Sequence, residues 1–430
     1  MVVHGRAWDR EILRLAVPAL GALAAEPLYV LIDTAIVGHL GTPQLAGLGV
    51  ATSLILSAYW LFGFLAYGTT GTVSRLIGDE RRAAALGVQG LWLGALLGVT
   101  VAVLGYVAAA PLVDVMGPSD AVRPFALEYF RISMAGVPAL LLVLAGTGYL
   151  RGAQDTRTPL LVTLATVVLN TALEVLFVYG FDWGIGGSAW GTVLAQSCGA
   201  LWYVRVVIRS GAPLRPDAVA LRRLTRLSFH LVLRTAALRG ALLVSTAVVT
   251  RLGTRDIAAH QVAFELWMFL ALVLDAIAIA GQALAGRLLG AGSVDDARTA
   301  TRRMIELSVV AGLALAALVL LLRPWLPGLF TDDSAVEDLA AFVLVFVALQ
   351  QPANGIVFAI DGILIGAGDL RYLAWAMVAS AAVYVVTTLA VLALGWGIGW
   401  VWTAFSLMQV VRLATLVWRW RGDAWMRTGA

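Results

Sequence analysis

The chain has 430 residues, of which 60% are hydrophobic and 13% are charged, and its formal net charge is +4 at pH 7. Soluble domains are about 45–50% apolar, so this composition excludes an ordinary soluble protein and indicates a polytopic membrane protein. All 30 basic residues are arginine, which excludes the lysine of a nucleotide-binding P-loop.

Breaking the chain at polar, glycine-bearing and proline-bearing turns predicts twelve membrane-spanning helices. In chain order they cover 12–37, 46–74, 84–110, 122–149, 158–180, 185–208, 227–250, 257–286, 297–322, 337–365, 372–394 and 398–419. The arginines fall in short loops on alternate sides, about 22 on one side and about four on the other. The positive-inside rule therefore predicts a multi-pass protein of the cytoplasmic (plasma) membrane with both termini cytoplasmic. The one cysteine, Cys198, has apolar neighbours in the sequence and is expected to be a buried thiol.

The second half of the chain repeats motifs of the first half at a nearly constant offset. LGTPQLAG at 40–47 recurs as LGTRDIAA at 252–259, and DWGIGGSAWG at 182–191 recurs as GWGIGWVWTA at 395–404. This pattern predicts an all-α protein of two homologous six-helix bundles, related by a pseudo-two-fold axis along the membrane normal. The predicted lobes are 1–210 and 227–430, joined by a cytoplasmic arginine-rich linker at 211–226.

Acidic residues inside the predicted spans differ between the two halves. The first half carries Glu26, Asp33 and Glu174, and the offset places Leu238 and Ser245 opposite the first two. A charge at membrane depth costs about 2.5–3.5 kcal/mol even on insertion scales. Acidic residues that are present in the first half and absent from the equivalent positions of the second therefore indicate a functional role more than a structural one.

Polar residues share helix faces with these acids. Tyr29 lies one turn before Asp33 in the first span, and Asn170 lies one turn before Glu174 in the fifth. Thr192 of the sixth span reaches a similar depth. If the three spans are neighbours, their similar depth predicts one polar cluster. Burial and a second carboxylate nearby both raise the pKa of an acid, so such a cluster could take up a proton. Such a cluster suits proton coupling, binding of Na⁺, or hydrogen-bonded cross-linking of helices.

The second half has acids of its own, among them Glu265 and Asp361. With Arg239 they could form a second cation site or a structural ion pair, and the sequence leaves both open. Pro18 and Pro27 interrupt the first span and remove backbone donors, so this helix is a candidate hinge, although two static kinks would fit equally well.

The stretch IDTAIVGHLGTPQLAGLGVA at 32–51, the RGAQDTRTP loop at 151–159 and NTALE at 170–174 resemble the multidrug and toxic compound extrusion (MATE) transporters, specifically their DinF-like branch. The resemblance implies a twelve-helix antiporter that exports organic, often cationic compounds against H⁺ or Na⁺. It further implies a coupling and binding cluster in the N-terminal lobe.

Carried over position by position, that cluster falls on Asp33, Tyr29, Asn170, Glu174 and Thr192. Glu174 departs from the family, whose members carry aspartate there, and Glu26 replaces a glutamine of some relatives.

The sequence favours a proton-coupled exporter over an enzyme, since no nucleophile–base pair or metal spacing is present. Asp33, Glu174 and Glu26 are predicted to carry the coupling ion, and Tyr29, Asn170 and Thr192 to line the substrate cavity. H⁺ is the expected coupling ion and Na⁺ the alternative; no other cofactor and no metal site are predicted. Expected partners are small organic substrates and the lipid bilayer, without nucleic acid, and the protein is predicted to be monomeric.

One alternative of a different class is a lipid-linked precursor flippase. A pyrophosphate-binding cleft needs several basic residues, and Arg131, Arg234 and Arg239 are the intramembrane candidates for it.

Overall fold

The regular structure of the chain is helical throughout the described part of a computed structural model, which covers residues 2–429, with side chains left undescribed at 2–6, 26 and 58. The helices are α1 (Val2–Gly38), α2 (Thr42–Phe62), α3 (Phe64–Ser74), α4 (Glu80–Val107), α5 (Ala109–Val115), α6 (Arg123–Gly152), α7 (Arg157–Val175), α8 (Gly184–Ile208), α9 (Ala218–Leu252), α10 (Thr254–Gly290), α11 (Val294–Leu322), α12 (Ser334–Gly366), α13 (Leu370–Ala393) and α14 (Ile398–Arg421). A π-helical turn, Leu176–Gly180, follows α7, and a 3-10 turn, Pro327–Leu329, precedes α12.

Twelve stretches of the described chain are long and apolar enough to cross a membrane. Helices α2 and α3 form one of them, Thr42–Ser74, and the short α5 lies outside the set. Because the bilayer core offers no water to the backbone, each apolar stretch satisfies its own polar groups by coiling into a helix. The predicted twelve-span, all-α fold is confirmed.

The repeated LGT motif marks the same turn in both halves. Gly41 precedes α2 with φ of 138°, and Gly253 precedes α10 with φ of 156°. Backbone at these angles is open to glycine and strained for other residues. The duplicated tripeptide is therefore a helix start that the chain uses twice.

The described residues fall into two compact units. One runs from Gly21 to Ser228, and the other combines the residues up to Leu20 with those from Phe229 onward. The boundaries lie inside α1 and α9, both of which are continuous helices. The predicted lobe limits were 1–210 and 227–430.

Ion pairs fix the first turns of α1 to the C-terminal helices of the same unit. Arg303 of α11 donates to both carboxylate oxygens of Asp9, at 2.6 and 2.9 Å. Arg287 of α10 lies 2.6 Å from Glu11. These contacts account for the grouping of residues before Leu20 with the C-terminal half.

Each unit is organised around its fourth membrane span. Helix α6 packs against α2, α3, α4 and α8, and α12 packs against α10, α11 and α14. The second unit also has an aromatic core, in which Trp267, Tyr384, Trp402 and Phe405 are buried. The equivalent central positions of α6 and α12 agree with the sequence repeat.

The prediction of a buried thiol at Cys198 was wrong, because this side chain is exposed. It lies on the outer face of α8 with Leu194, Leu201 and Trp202, which are also exposed. Apolar neighbours in the sequence here mark an outward-facing apolar stripe rather than the core.

Candidate functional site

Asp33 lies in the second half of α1 and is buried, with 5% of its surface exposed. Two hydroxyl groups from other helices hydrogen-bond its carboxylate. Ser188 of α8 donates to Oδ1 at 2.6 Å, and Tyr129 of α6 donates to Oδ2 at 3.3 Å. The carboxylate is therefore held between three helices of one unit.

Glu174 lies at the end of α7 and is completely buried. Asn170, one turn earlier, donates its side-chain amide to Glu174 Oε1 at 2.8 Å, and the Thr192 hydroxyl of α8 donates to the same oxygen at 3.3 Å. The Tyr29 hydroxyl is 2.9 Å from Thr192 Oγ1. Since Thr192 gives its proton to Glu174, Tyr29 acts as the donor to Thr192.

The two carboxyl groups lie within hydrogen-bonding reach of each other. Carboxylate oxygens are acceptors, so a hydrogen bond between two carboxyl groups requires a proton on one of them. Glu174 Oε2 is buried and has no hydrogen-bond partner among the described residues. The side chains that donate to the pair are all neutral. The arrangement can therefore hold one shared proton.

Local features of α7 and α8 set the position of Glu174. The π-helical turn begins two residues after it, and within that turn Tyr179 donates to the backbone carbonyl of Ile36 in α1 at 2.8 Å. Turns of this type often occur at functional sites. The hydrogen bond fixes the end of α7 to α1 three residues beyond Asp33.

Two glycines one turn apart allow α8 to approach this segment. A Cβ at Gly191 would lie 2.9 Å from Glu174 Cγ and 3.1 Å from the Glu174 backbone nitrogen. A Cβ at Gly187 would lie 2.9 Å from the Phe177 carbonyl carbon. The two contacts of 2.9 Å are closer than real Cβ atoms approach their neighbours, so the carboxyl cluster depends on glycine at these positions.

The structure brings five predicted residues into one network: Tyr29, Asp33, Asn170, Glu174 and Thr192. The roles predicted for them, coupling and cavity lining, stay predictions. Glu26 falls on a side chain outside the described set.

Sequence reasoning missed Tyr129 and Ser188, both of which contact Asp33. Ser188 lies in the repeated DWGIGGSAWG motif, opposite Val401 of the second copy. The same comparison of the two halves that singled out Asp33 therefore contains the signal for Ser188.

The prolines of α1 do not end the helix, which is continuous through Gly38. Each proline lacks an N–H and leaves a carbonyl one turn earlier without its usual partner. Pro18 lies three residues before Gly21, where the unit Gly21–Ser228 begins, and Pro27 lies within that unit. A hinge function for either stays a prediction.

The acid of the second unit, Asp361, has a different environment. It is buried on α12 and forms ion pairs with Arg234 of α9, at 2.6 Å, and with Arg412 of α14. Gln409 accepts from Arg412 at 3.4 Å and donates to Asn354 at 2.6 Å. Of the two interpretations of Asp361, the geometry matches an ion pair.

The sequence did not identify these partners correctly. Arg412 was missed although it lies inside the twelfth predicted span. Arg239 was the proposed partner, and it lies half-buried on α9, five residues after Arg234. Glu265 is exposed and accepts a hydrogen bond from Gln261 at 3.0 Å. Two arginines beside one carboxylate leave an excess of positive charge, which opposes binding of a second cation there.

Sequence comparison assigns the family. The profile of the MatE family matches residues 18–176 and 232–406 of this chain, one segment in each half. The chain belongs to the MATE family. It is therefore a multidrug and toxic compound extrusion transporter by family, which confirms the resemblance and the prediction of a transporter rather than an enzyme.

Individual MATE relatives match over nearly the whole length. Protein DETOXIFICATION 44, chloroplastic, of Arabidopsis thaliana is 30% identical over 428 residues, covering 95% of this chain and 81% of the relative. DNA damage-inducible protein F of Escherichia coli (strain K12) is 28% identical over 437 residues, covering 97% and 94%. This second match supports the DinF-like assignment.

Solved MATE structures share the fold. A crystal structure of MATE in the bent conformation matches with a TM-score of 0.89 at 22% identity, covering 97% of this chain and 96% of that one. A transporter of the MOP superfamily from Pyrococcus furiosus matches with a TM-score of 0.88 at 22% identity, covering 98% and 97%. At this identity the likeness concerns the fold.

Proposed function

We propose that this MATE protein exports organic, often cationic compounds in exchange for H⁺ by alternating access, with Asp33 and Glu174 as the proton-carrying pair. The observation that carries the proposal is the buried contact between these two carboxyl groups. Ionisable residues inside membrane spans usually serve transport or proton relay. The names of the Arabidopsis relatives, which refer to detoxification, fit an exporter of this kind.

The surroundings of the pair favour a proton as the coupling ion. All four side chains that donate to the pair are neutral, so a captured proton is not excluded by a neighbouring cation. The chain Tyr29–Thr192–Glu174 links hydroxyl groups in series. Tyr29 is half-buried, whereas Glu174 is fully buried, so this chain offers a route between the pair and a more accessible position.

Exchange of substrate for H⁺ follows because the organic cation and the proton compete for the negative charge of the carboxyl pair. When the pair has lost its proton, an organic cation about 4 Å from a carboxylate gains roughly 4 kcal/mol at an effective dielectric constant of about 20. That energy corresponds to an affinity change of about a thousandfold. Uptake of one proton lowers the negative charge of the pair by one and weakens the attraction by about this amount, which favours release of the cation, so one charge change can drive export.

Sodium coupling is the second candidate, and one observation keeps it open. Asn170 Oδ1 and Glu174 Oε2 are both buried oxygens without a hydrogen-bond partner among the described residues. Hard cations bind through such oxygens. Sodium binding through Asp361 is disfavoured because Arg234 and Arg412 already neutralise this carboxylate.

The flippase alternative has less support. Of its candidate phosphate ligands, Arg234 is engaged with Asp361, and Arg131 lies 5.8 Å from the ring centre of Tyr106.

Residence in the plasma membrane with both termini cytoplasmic is part of the proposal and rests on the distribution of arginines. The monomeric state stays a prediction.

Transport into proteoliposomes tests the proposal. Purified protein is reconstituted, a pH gradient or a Na⁺ gradient is imposed separately, and accumulation of a fluorescent organic cation is followed. The pH gradient alone, with K⁺ replacing Na⁺, is expected to drive accumulation.

Accumulation driven by the Na⁺ gradient and not by the pH gradient would replace the proton with Na⁺. Movement of a labelled lipid-linked pyrophosphate from one leaflet to the other, without accumulation of the cation, would favour the flippase. In the same assay Asp33→Asn is expected to lose accumulation driven by the pH gradient. Glu265→Gln is its matched control, since it removes an exposed acid of the other unit.

A further inference from the structure

A dense group of positive charges lies at the end of α8 and the start of α9. Residues 205–226 contain six arginines and one acid, and all six arginines are exposed: Arg205, Arg209, Arg215, Arg222, Arg223 and Arg226. The acid, Asp217, accepts from the backbone nitrogens of Val219 and Ala220 at 2.8 and 3.3 Å. Asp217 therefore caps the start of α9.

The segment is anchored to the body of its unit. Gln89 of α4 donates to the Arg215 carbonyl at 3.0 Å and accepts from the Asp217 backbone nitrogen at 2.9 Å. Trp92, one turn along α4, donates to the Leu214 carbonyl at 2.8 Å. The backbone that carries the arginines is thus held in place by three hydrogen bonds to one helix.

A further arginine adds to the same charge. Arg75, which follows α3, is half-buried, and its pKa is lowered by burial and by the positive charge of Arg223. Like charges held close together cost free energy that an anion between them removes. Guanidinium groups bind phosphate with paired hydrogen bonds, so a phosphate is the anion that suits this place.

Apolar side chains are exposed beside the arginines. Leu214 is 49% exposed and Val219 is 79% exposed, on either side of Arg215 and Asp217. A soluble anion gains nothing from such residues, whereas a lipid offers a phosphate and acyl chains together. The positive-inside pattern predicts that this side of the membrane is cytoplasmic, where the leaflet is anionic.

We propose that residues 205–226, together with Arg75, form a binding surface for anionic phospholipid, in which the arginines bind the headgroup phosphate and Leu214 and Val219 contact the acyl chains. The surface is separate from the carboxyl pair of Asp33 and Glu174. It therefore stands whether the coupling ion is H⁺ or Na⁺.

Native mass spectrometry of the full-length protein in detergent measures the binding. Phosphatidylglycerol and phosphatidylcholine with the same acyl chains are titrated separately, and glycerol 3-phosphate serves as the soluble phosphate. The wild type is expected to bind phosphatidylglycerol more tightly than the other two. Each arginine near a membrane surface adds roughly fivefold to the affinity for anionic lipid, so Arg222→Gln/Arg223→Gln is expected to lose on the order of tenfold or more.

The double variant Arg371→Gln/Arg421→Gln is the matched control, since it removes two exposed arginines of the other unit. It is expected to bind phosphatidylglycerol like the wild type, and Arg222→Lys/Arg223→Lys is expected to retain most of the binding. Equal loss in the control, or unchanged binding in Arg222→Gln/Arg223→Gln, would overturn the proposal. Equally tight binding of glycerol 3-phosphate would replace the lipid with a soluble phosphate.

Discussion

Replacing Gly191 with alanine tests whether close packing of α8 on α7 positions the carboxyl pair. The new Cβ would lie 2.9 Å from Glu174 Cγ, which is closer than real Cβ atoms approach their neighbours. Relief requires α8 or the Glu174 side chain to move by a few tenths of an ångström. The Thr192–Glu174 hydrogen bond is already 3.3 Å long, so the shift is expected to break it.

The expected cost separates stability from transport. Overpacking costs about 1–3 kcal/mol, and the better helix propensity of alanine returns about 1 kcal/mol. Gly191→Ala is therefore expected to fold, with a melting temperature a few degrees below that of the wild type. Proton-driven transport is expected to fall on the order of tenfold, because misplacement of a reacting group by about 1 Å can cost up to a hundredfold.

Gly49→Ala is the control for this prediction. A Cβ at Gly49 of α2 meets nothing within 4 Å, so this variant gains helix propensity without a contact. The assay compares initial rates of cation uptake under a fixed pH gradient, with melting temperatures measured on the same preparations. If Gly191→Ala transports as fast as Gly49→Ala, the close approach of α8 does not position Glu174 and the reasoning is refuted.

Two more predictions concern contacts outside the pair. Arg412→Leu removes one of the two arginine partners of buried Asp361 and leaves its ion pair with Arg234. The variant is expected to destabilise the protein by about 1.5–3 kcal/mol, the cost of losing a hydrogen bond to a charged group, seen as a drop in melting temperature. Arg302→Gln, which breaks an exposed pair with Glu306, is its control and should lower the melting temperature little. Tyr179→Phe removes the hydrogen bond to Ile36 and is expected to cost about 1 kcal/mol and to slow proton-driven uptake. Unchanged uptake in Tyr179→Phe would mean that this bond does not position Glu174.

Much of the fold could be predicted from the sequence because the bilayer restricts which secondary structures a chain can adopt. A membrane allows a long apolar stretch to be a helix and little else, so the twelve spans follow from composition and turn residues. The duplicated LGT motif indicated the repeat, and Gly41 and Gly253 both have a positive φ. The grouping of the residues up to Leu20 with the C-terminal half depends on Asp9 and Glu11 finding arginines in α10 and α11, which no local pattern reveals.

The site residues that could be predicted are those with ionisable side chains, whose burial in a membrane costs much free energy. Those with hydroxyl groups, whose burial costs less, could not. Asp33 and Glu174 were identified because a carboxylate in a membrane span needs a reason. Ser188 and Tyr129 carry hydroxyl groups, which membrane helices tolerate more readily, so neither stood out by its cost, and only the comparison of the two halves carries a signal for Ser188. The partners of Asp361 come from α9 and α14, and they depend on which helices pack against α12. Spacing along the chain does not give that packing.

Proton release on substrate binding tests the central claim most directly. Purified protein in weakly buffered detergent solution with a pH indicator is mixed with an organic cation that it transports, at a pH where the pair is protonated. The wild type is expected to release about one proton per cation bound. Asp33→Asn is expected to release none, and Glu174→Gln less than the wild type. Release that persists unchanged in both variants would contradict a proton held between Asp33 and Glu174.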